Sequence, residues 1–248
     1  MITIKNAAEI KKMREAGRII AEVFELIREK IRPGITTGEL DLAAERLILR
    51  RKAIPVCKGF EGFPAATCIS VNNEVIHGIP GQRVIQAGDI VSVDLSVSKD
   101  GWCADAARTF PVGEIAPELA ELLRVTEMSL YAGIEMAQIG NRLGDIGHRV
   151  QDIAEAHGLG VVRDYVGHGI GREMHEAPDV PNYGRPGRGL RLVEGMALAI
   201  EPMLNLGTAA VRTLPDGWTV VTLDGKFSAH FENTVAITAA GPEILTVL

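Results

Sequence analysis

The chain has 248 residues and a mass of 26.6 kDa, of which 46% are hydrophobic and 23% charged; this balance excludes disorder, collagen and coiled coil and leaves room for one large domain or two small ones. Lys plus Arg number 26 against 32 Asp plus Glu, a formal net charge of −6, which is not the electrostatic footprint of a nucleic-acid binder. No apolar run is long enough to span a membrane, residues 1–17 carry charges with no apolar signal core, and three cysteines suit a reducing compartment, so a cytoplasmic location is expected.

From residue 7 to 30, apolar residues recur at helical spacing (Ile10, Met13, Gly17, Ile20, Phe24, Ile27), and Pro33-Gly34 ends the predicted helix. Thr36 or Thr37 can cap a second helix over 38–52, with Leu40, Ala44, Leu47 and Ile48 facing inward. Residues 55–80, punctuated by Gly, Phe and Pro, read as short strands and loops. Residues 89–97 alternate strictly, with Val91, Val93, Leu95 and Val97 on one face and Ile90, Ser92, Asp94 and Ser96 on the other. Asp100-Gly101 signals a turn, and 102–112 the returning strand. A second helix pair is predicted over 117–136 and 143–157, followed by short Gly- and Pro-rich strands over 161–248. There Asp224-Gly225 marks another hairpin, between 218–223 and 227–238.

The order helix, helix, strands thus occurs twice. Gly34-x3-Gly38-Glu39-Leu40 and Gly140-x3-Gly144-Asp145-Ile146 share one pattern at an offset of 106, which points to an internal duplication. One domain over 1–248 is expected, with halves of about 1–115 and 116–248.

The acidic residues sharpen this. With the loop centred between Lys99 and Asp100, positions summing to 199 face each other, and Asp94 opposes Asp105 directly. Like charges so placed destabilise a ladder unless a cation lies between them. Alone, the pair also reads as two solvent-facing carboxylates, but Val93, Leu95, Trp102, Cys103, Ala104, Ala106 and Ala107 make the hairpin poorly solvated. Glu201, 107 residues after Asp94, ends another apolar strand, and Glu232 is its expected partner across a hairpin with an insertion over 205–224. Four buried carboxylates cannot all stay ionised uncompensated. Two divalent cations roughly 3.5–4 Å apart resolve this. His168, between Gly167 and Gly169, is the candidate nitrogen ligand; a lone loop histidine seldom is one, and only the converging carboxylates single it out.

These residues resemble the type I methionine aminopeptidase family, whose "pita-bread" fold is shared with prolidases and creatinase. The resemblance rests on Asp94-x10-Asp105, Gly167-His168-Gly-Ile-Gly171, Met174-His175-Glu176, Ala199-Ile-Glu201-Pro202, Phe231-Glu232-Asn233-Thr234 and the stretch from Cys68 to Pro80, and it runs over essentially the whole chain. It implies an α+β pita-bread fold, two pseudo-symmetric helix–helix–strand halves around a curved antiparallel sheet. It implies metal ligands Asp94, Asp105, His168, Glu201 and Glu232, with Asp105 and Glu232 bridging two divalent ions (Co, Mn, Fe(II) or Zn), and a monovalent cation near Ser228 and Asn72. A hydroxide between the two ions is expected to attack the first peptide bond, with Glu201 moving its proton, His175 donating to the oxyanion and His77 bonding the scissile amide. A methionine pocket is expected from Cys57, Phe60, Phe63, Cys68, His77, His175, Met174 and Trp218. Two departures stand out: Met174 where the family often has Phe, and His230 in place of a more usual polar neighbour of Glu232.

The expected reaction is removal of the N-terminal methionine when the second residue is small. Nascent polypeptide N-termini are the expected partners, with room for a transient ribosome contact, and no membrane or specific nucleic acid; a monomer is expected. The basic runs Arg50-Arg51-Lys52 and Arg185, Arg188, Arg191 read as solvated surface. The alternatives are an Xaa-Pro aminopeptidase or dipeptidase of the same fold, against which the lack of an additional N-terminal domain speaks, and a non-catalytic pita-bread binding protein, against which the intact ligand set speaks.

Overall fold

In the computed structural model, which describes residues 2–248, helix α1 (Ala7–Lys30) starts on a capping box. The Asn6 side chain accepts from the amides of Ala8 and Glu9, and Glu9 returns the bond to the amide of Asn6. Helix α2 (Thr37–Arg50) repeats the device with Thr36 and Glu39. Short strands β1 (Ile54–Pro55), β2 (Cys68–Val71) and β3 (Glu74–Ile76) follow, then the long hairpin of β4 (Ile90–Lys99) and β5 (Trp102–Pro111). Helices α3 (Pro117–Glu135) and α4 (Leu143–Ala156) come next. The chain ends in short strands: β6 (Gly160–Val161), β7 (Gly167–Gly169), β8 (Glu176–Val180), β9 (Ala197–Ile200), β10 (Met203–Asn205), β11 (Val211–Thr213), β12 (Val220–Thr222), β13 (Ser228–His230), β14 (Asn233–Thr238) and β15 (Gly241–Ile244).

All strand pairs among the described residues are antiparallel, as expected from the sequence. Two sheets matter for the site: β1-β4-β2 with β5 on β4, and β15-β14-β9-β7-β8. α1 and α2 bury Ile20, Val23, Ile27, Leu40 and Ile48 against Val91, Val93, Leu95 and Val97 of the first sheet. α3 and α4 bury Leu122, Val125, Leu130 and Ile146 against Leu198, Ile200, Val235 and Ile237 of the second. Both layers rest on the periodicities visible in the sequence: 3.6 in the helices, two in the strands.

The shared glycine pattern has a physical reason. Gly34 and Gly140 hold left-handed φ of +93° and +95°, which a side chain strains to reach. A Cβ on Gly38 would lie 2.9 Å from the Gly81 carbonyl oxygen, and one on Gly144 2.4 Å from that of Arg185. The acid that follows, Glu39 or Asp145, reaches back to the amide of Thr36 or Arg142. Thr37 N donates to Arg83 O and Leu143 N to Leu190 O, each at 3.0 Å, so the two helix entries are tied to their flanking loops alike.

Two sequence expectations are corrected. Asp100 and Gly101, at φ +51° and +76°, form a two-residue turn, so Lys99 pairs with Trp102 and the register sum is 201, not 199. Asp94 therefore faces Ala107, and Asp105 faces Ser96; the two carboxylates are diagonal neighbours on one face rather than directly opposed. The Asp224-Gly225 turn forms, with Asp224 Oδ1 accepting from Lys226 N, but its arms do not pair. β12 joins β11 and β3, whereas β13 joins β10 in a different sheet. No helix of the described residues is long and apolar enough to cross a membrane.

Candidate metal centre

The two sheets meet through a short set of bonds. Thr234 Oγ1 accepts from Asp105 N and donates to Asp105 O, both at 2.8 Å, and Glu232 N donates to Ala107 O at 2.9 Å. Thr109 Oγ1 also donates to His230 O and accepts from His230 N, tying the hairpin to β13 of the neighbouring sheet. This seam brings Asp94 and Asp105 of the β4–β5 hairpin to the end of the β9–β14 ladder. There Ile200 pairs with Asn233, so Glu201 and Glu232 stand opposite one another just past the last pair, as expected.

The carboxylates of Asp94, Asp105, Glu201 and Glu232 and the imidazole of His168 line one cavity of about 190 Å³, which His77, His175 and Tyr165 also reach. Asp105, His168 and Glu232 each offer a ligand atom within 4.8 Å of the others. His168 Nε2 lies 3.5 Å from Glu201 Oε1 and 3.9 Å from Asp105 Oδ2. His168 Nδ1 bonds to Gly169 O at 2.9 Å. A carbonyl only accepts, so that bond makes Nδ1 the protonated nitrogen and leaves the Nε2 lone pair facing the carboxylates, the arrangement of metal-binding imidazoles.

Among the described residues, no Lys or Arg side chain pairs with these carboxylates. Burial pushes Asp94 up to about 7, and burial followed by mutual repulsion holds Asp105, Glu201 and Glu232 well above the carboxylate range. Asp105 Oδ1 and Glu232 Oε1 are buried without any hydrogen-bond partner. The half-buried Arg108 spends its guanidinium on Ala107 O, Glu232 O and Asn233 Oδ1, so it holds the backbone of Glu232 but not its carboxylate. Burial lowers His168 and His77 to about 4 and His230 to about 3, and lowers His175 as well. Orphaned carboxylate oxygens around a neutral imidazole lone pair are a donor set that fits divalent cations, whose charge removes the penalty.

A second cavity of about 250 Å³ opens beside the first and shares His77, His175, Asp94 and Asp105 with it. Its wall is the apolar cluster of Cys57, Phe63, Cys68 and Met174 with Phe60 and Trp218 at the edge. Every residue expected around the methionine pocket lines this cavity. The cysteines are free and buried. His175 is exposed at the mouth, edge-on to Phe60 (5.3 Å) and to His168 (4.3 Å). His77 holds a left-handed φ of +58°, strain of the kind that collects at functional sites, and packs edge-on to Tyr165 and Trp218. Asn72 and Ser228 adjoin through a 2.9 Å bond from Ser228 N to Asn72 O.

Several contributors were missed in the sequence. Arg108 had a signal, a lone charge inside an apolar strand. Tyr165 lies three residues before His168. Glu61, at the rim of the second cavity, had none. His230, noted as a departure, lies 3.7 Å from Glu201 Oε2 with both ring nitrogens unpartnered.

The comparisons agree with this geometry. Residues 11–239 match the model of metallopeptidase family M24. The chain is 58% identical over 248 residues to a methionine aminopeptidase of Clostridium perfringens, covering 100% of both chains. It superposes on the crystal structure of a methionine aminopeptidase from Thermotoga maritima with a TM-score of 0.98, at 46% identity and covering 100% of each. A prolidase from Pyrococcus horikoshii shares the fold at a TM-score of 0.78 and 24% identity, with 98% of this chain matched to 63% of that one.

Proposed function

The chain belongs to metallopeptidase family M24 as a methionine aminopeptidase of the bacterial type I, and on that premise we propose that Asp94, Asp105, His168, Glu201 and Glu232 hold two divalent cations that serve the reaction. The observation that carries this is the convergence of four carboxylates and one imidazole lone pair on a single cavity, with an apolar cavity beside it. Asp105 Oδ1 and Glu232 Oε1, buried without a hydrogen-bond partner, would be satisfied by such cations. Carboxylate-rich ligation with one imidazole suits Mn, Fe(II), Co or Zn. Such cations, when bound, lower the pKa of water and polarise the carbonyl of the first peptide bond.

The side chains supply the rest. Glu201 takes the proton of the attacking water and passes it to the leaving nitrogen. His175, exposed at the mouth and neutral, donates to the carbonyl oxygen as charge develops there. His77, with its pKa at about 4, is uncharged at neutral pH and bonds the scissile amide. Cys57, Phe60, Phe63, Cys68, Met174 and Trp218 surround the methionine side chain. An apolar pocket separates single methylenes by only about 1–3 kcal/mol, so related unbranched side chains are cleaved more slowly rather than excluded. A small second residue follows from the resemblance.

We infer action as a monomer; a single catalytic domain over 1–248 is supported by its halves, about 1–115 and 116–248, which share the helix-entry bonds described above. Substrates that are nascent N-termini support a cytoplasmic place of work, where a transient ribosome contact brings enzyme and substrate together. The test is hydrolysis of Met-Ala-Ser against Xaa-Pro peptides by protein loaded with each metal in turn under anaerobic conditions. Release of methionine, saturating at two metals per chain, is expected. Preference for Xaa-Pro would assign the proline-specific reading instead.

A further inference from the structure

The buried pair Lys5 and Glu176 lies outside both cavities. Their side chains are 3% and 10% exposed and meet at 2.8 Å. Lys5 Nζ also donates to Thr3 Oγ1 (2.5 Å) and Thr3 O (3.3 Å), so three acceptors surround the ammonium. Glu176 follows His175 directly. Its Oε1 accepts from the amides of Arg172 (2.8 Å) and Glu173 (3.4 Å), and its Oε2 from Lys5 and the Thr3 hydroxyl. Although burial pushes this carboxyl up, the bonds from Lys5 and Thr3 outweigh it and hold the group below its usual range.

The loop between His168 and His175 is closed around that carboxylate. Gly169 pairs with Glu176 across β7 and β8. Gly171 packs so tightly on the pair that a Cβ there would lie 2.5 Å from Lys5 Cε and 2.6 Å from Glu176 Oε1. Gly171 O accepts from Cys103 N at 2.7 Å, two residues before Asp105. Lys5 itself is fixed, its amide donating to Gly195 O at 2.7 Å at the entry to β9.

We propose that Lys5 and Glu176 form a positioning clamp that fixes the imidazole of His175 against the cavity mouth, so that the segment before α1 is part of the catalytic apparatus. Neither residue touches substrate or the candidate ligands; each acts through the loop. This role presupposes His175 as the oxyanion donor, since a donor displaced by about 1 Å loses on the order of 10²-fold in rate.

The experiment compares wild type with Glu176→Gln, Lys5→Met and the milder Thr3→Val. For each, kcat and KM on Met-Ala-Ser are measured together with metal content and amide exchange of the metal-loaded protein by mass spectrometry. The expected result for Glu176→Gln and Lys5→Met is a kcat lowered by about 10²-fold with KM within about threefold. Metal content should be unchanged, and exchange of the 171–175 loop faster by at least about tenfold, with α1 to α4 protected as before. Thr3→Val should move loop exchange in the same direction by less, and it decides the question if the other two do not fold. Unchanged loop exchange, an unchanged kcat, or protection lost evenly over the molecule overturns the clamp. A wild type that does not cleave Met-Ala-Ser sinks the aminopeptidase reading instead, and loop exchange then still decides whether the clamp exists.

Discussion

Removing metal from this protein is expected to reverse the way its stability depends on pH. Asp94 is held at about 7 in the metal-free fold by burial, against an ordinary value near 3.9 in an unfolded chain. Its folded-state pKa is the higher one, so the folded state binds the extra proton, and stability present below about pH 4 is lost as pH rises towards 7. Three pKa units correspond to about 4 kcal/mol, of which about 2 kcal/mol falls between pH 5.5 and 8. For a chain of this size that is roughly 4–8 °C in Tm. Asp105, Glu201 and Glu232 are raised too and add in the same direction. Thermal melts of chelator-treated protein should therefore show a Tm that falls across this window, whereas bound divalent ions favour the ionised carboxylates and should flatten or invert the slope. Asp94→Asn should remove its share of the slope in the metal-free protein. A metal-free Tm independent of pH from 5.5 to 8, or an Asp94→Asn variant with the full slope, would exclude a raised Asp94 pKa as the source of the pH dependence.

Glu201→Gln should lower kcat by about 10²–10⁴-fold with an unchanged circular dichroism spectrum; turnover within a few-fold of wild type removes Glu201 from proton transfer. His168→Ala should lose activity together with metal, read by elemental analysis of the folded protein. His175→Ala should cost about 10²–10³-fold in kcat at unchanged metal content, and loss of metal would make it a ligand instead. Gly144→Ala should destabilise more than Gly38→Ala in urea titrations, because its Cβ meets a backbone carbonyl at 2.4 Å rather than 2.9 Å; forced overpacking of this kind costs about 1–3 kcal/mol.

The four helices were legible because each carries apolar residues at helical spacing, and Thr36 marks the start of α2 as a cap. The candidate ligands were legible for a different reason. Asp94 and Glu201 end or interrupt apolar strands where a charge has no local excuse, and the offset of the shared glycine pattern relates one to the other. What failed was geometry between segments. The register of β4 and β5 turns on where two residues with positive φ sit, and Asp100-Gly101 itself, not the bond before it, is the centre. Asp224-Gly225 makes an equally good turn, yet its arms go to different sheets, because long-range partners, not the turn, choose a strand's neighbours. Lys5 was invisible for the same reason: 171 residues separate it from Glu176.

The chain has two tryptophans, and they stand at the two places where the structure is most informative. Trp218 lies edge-on to Phe63 and to His77, on the wall of the apolar cavity. Trp102, at the start of β5, lies under the guanidinium of Arg172, 4.5 Å away, against the loop that Glu176 closes. Intrinsic fluorescence is thus an undiluted report on the pocket and the loop, without a third indole to blur it. In a Trp102→Phe background the emission belongs to the pocket alone; in Trp218→Phe it belongs to the loop. Occupation of the one and loosening of the other become separate optical signals in an unlabelled molecule.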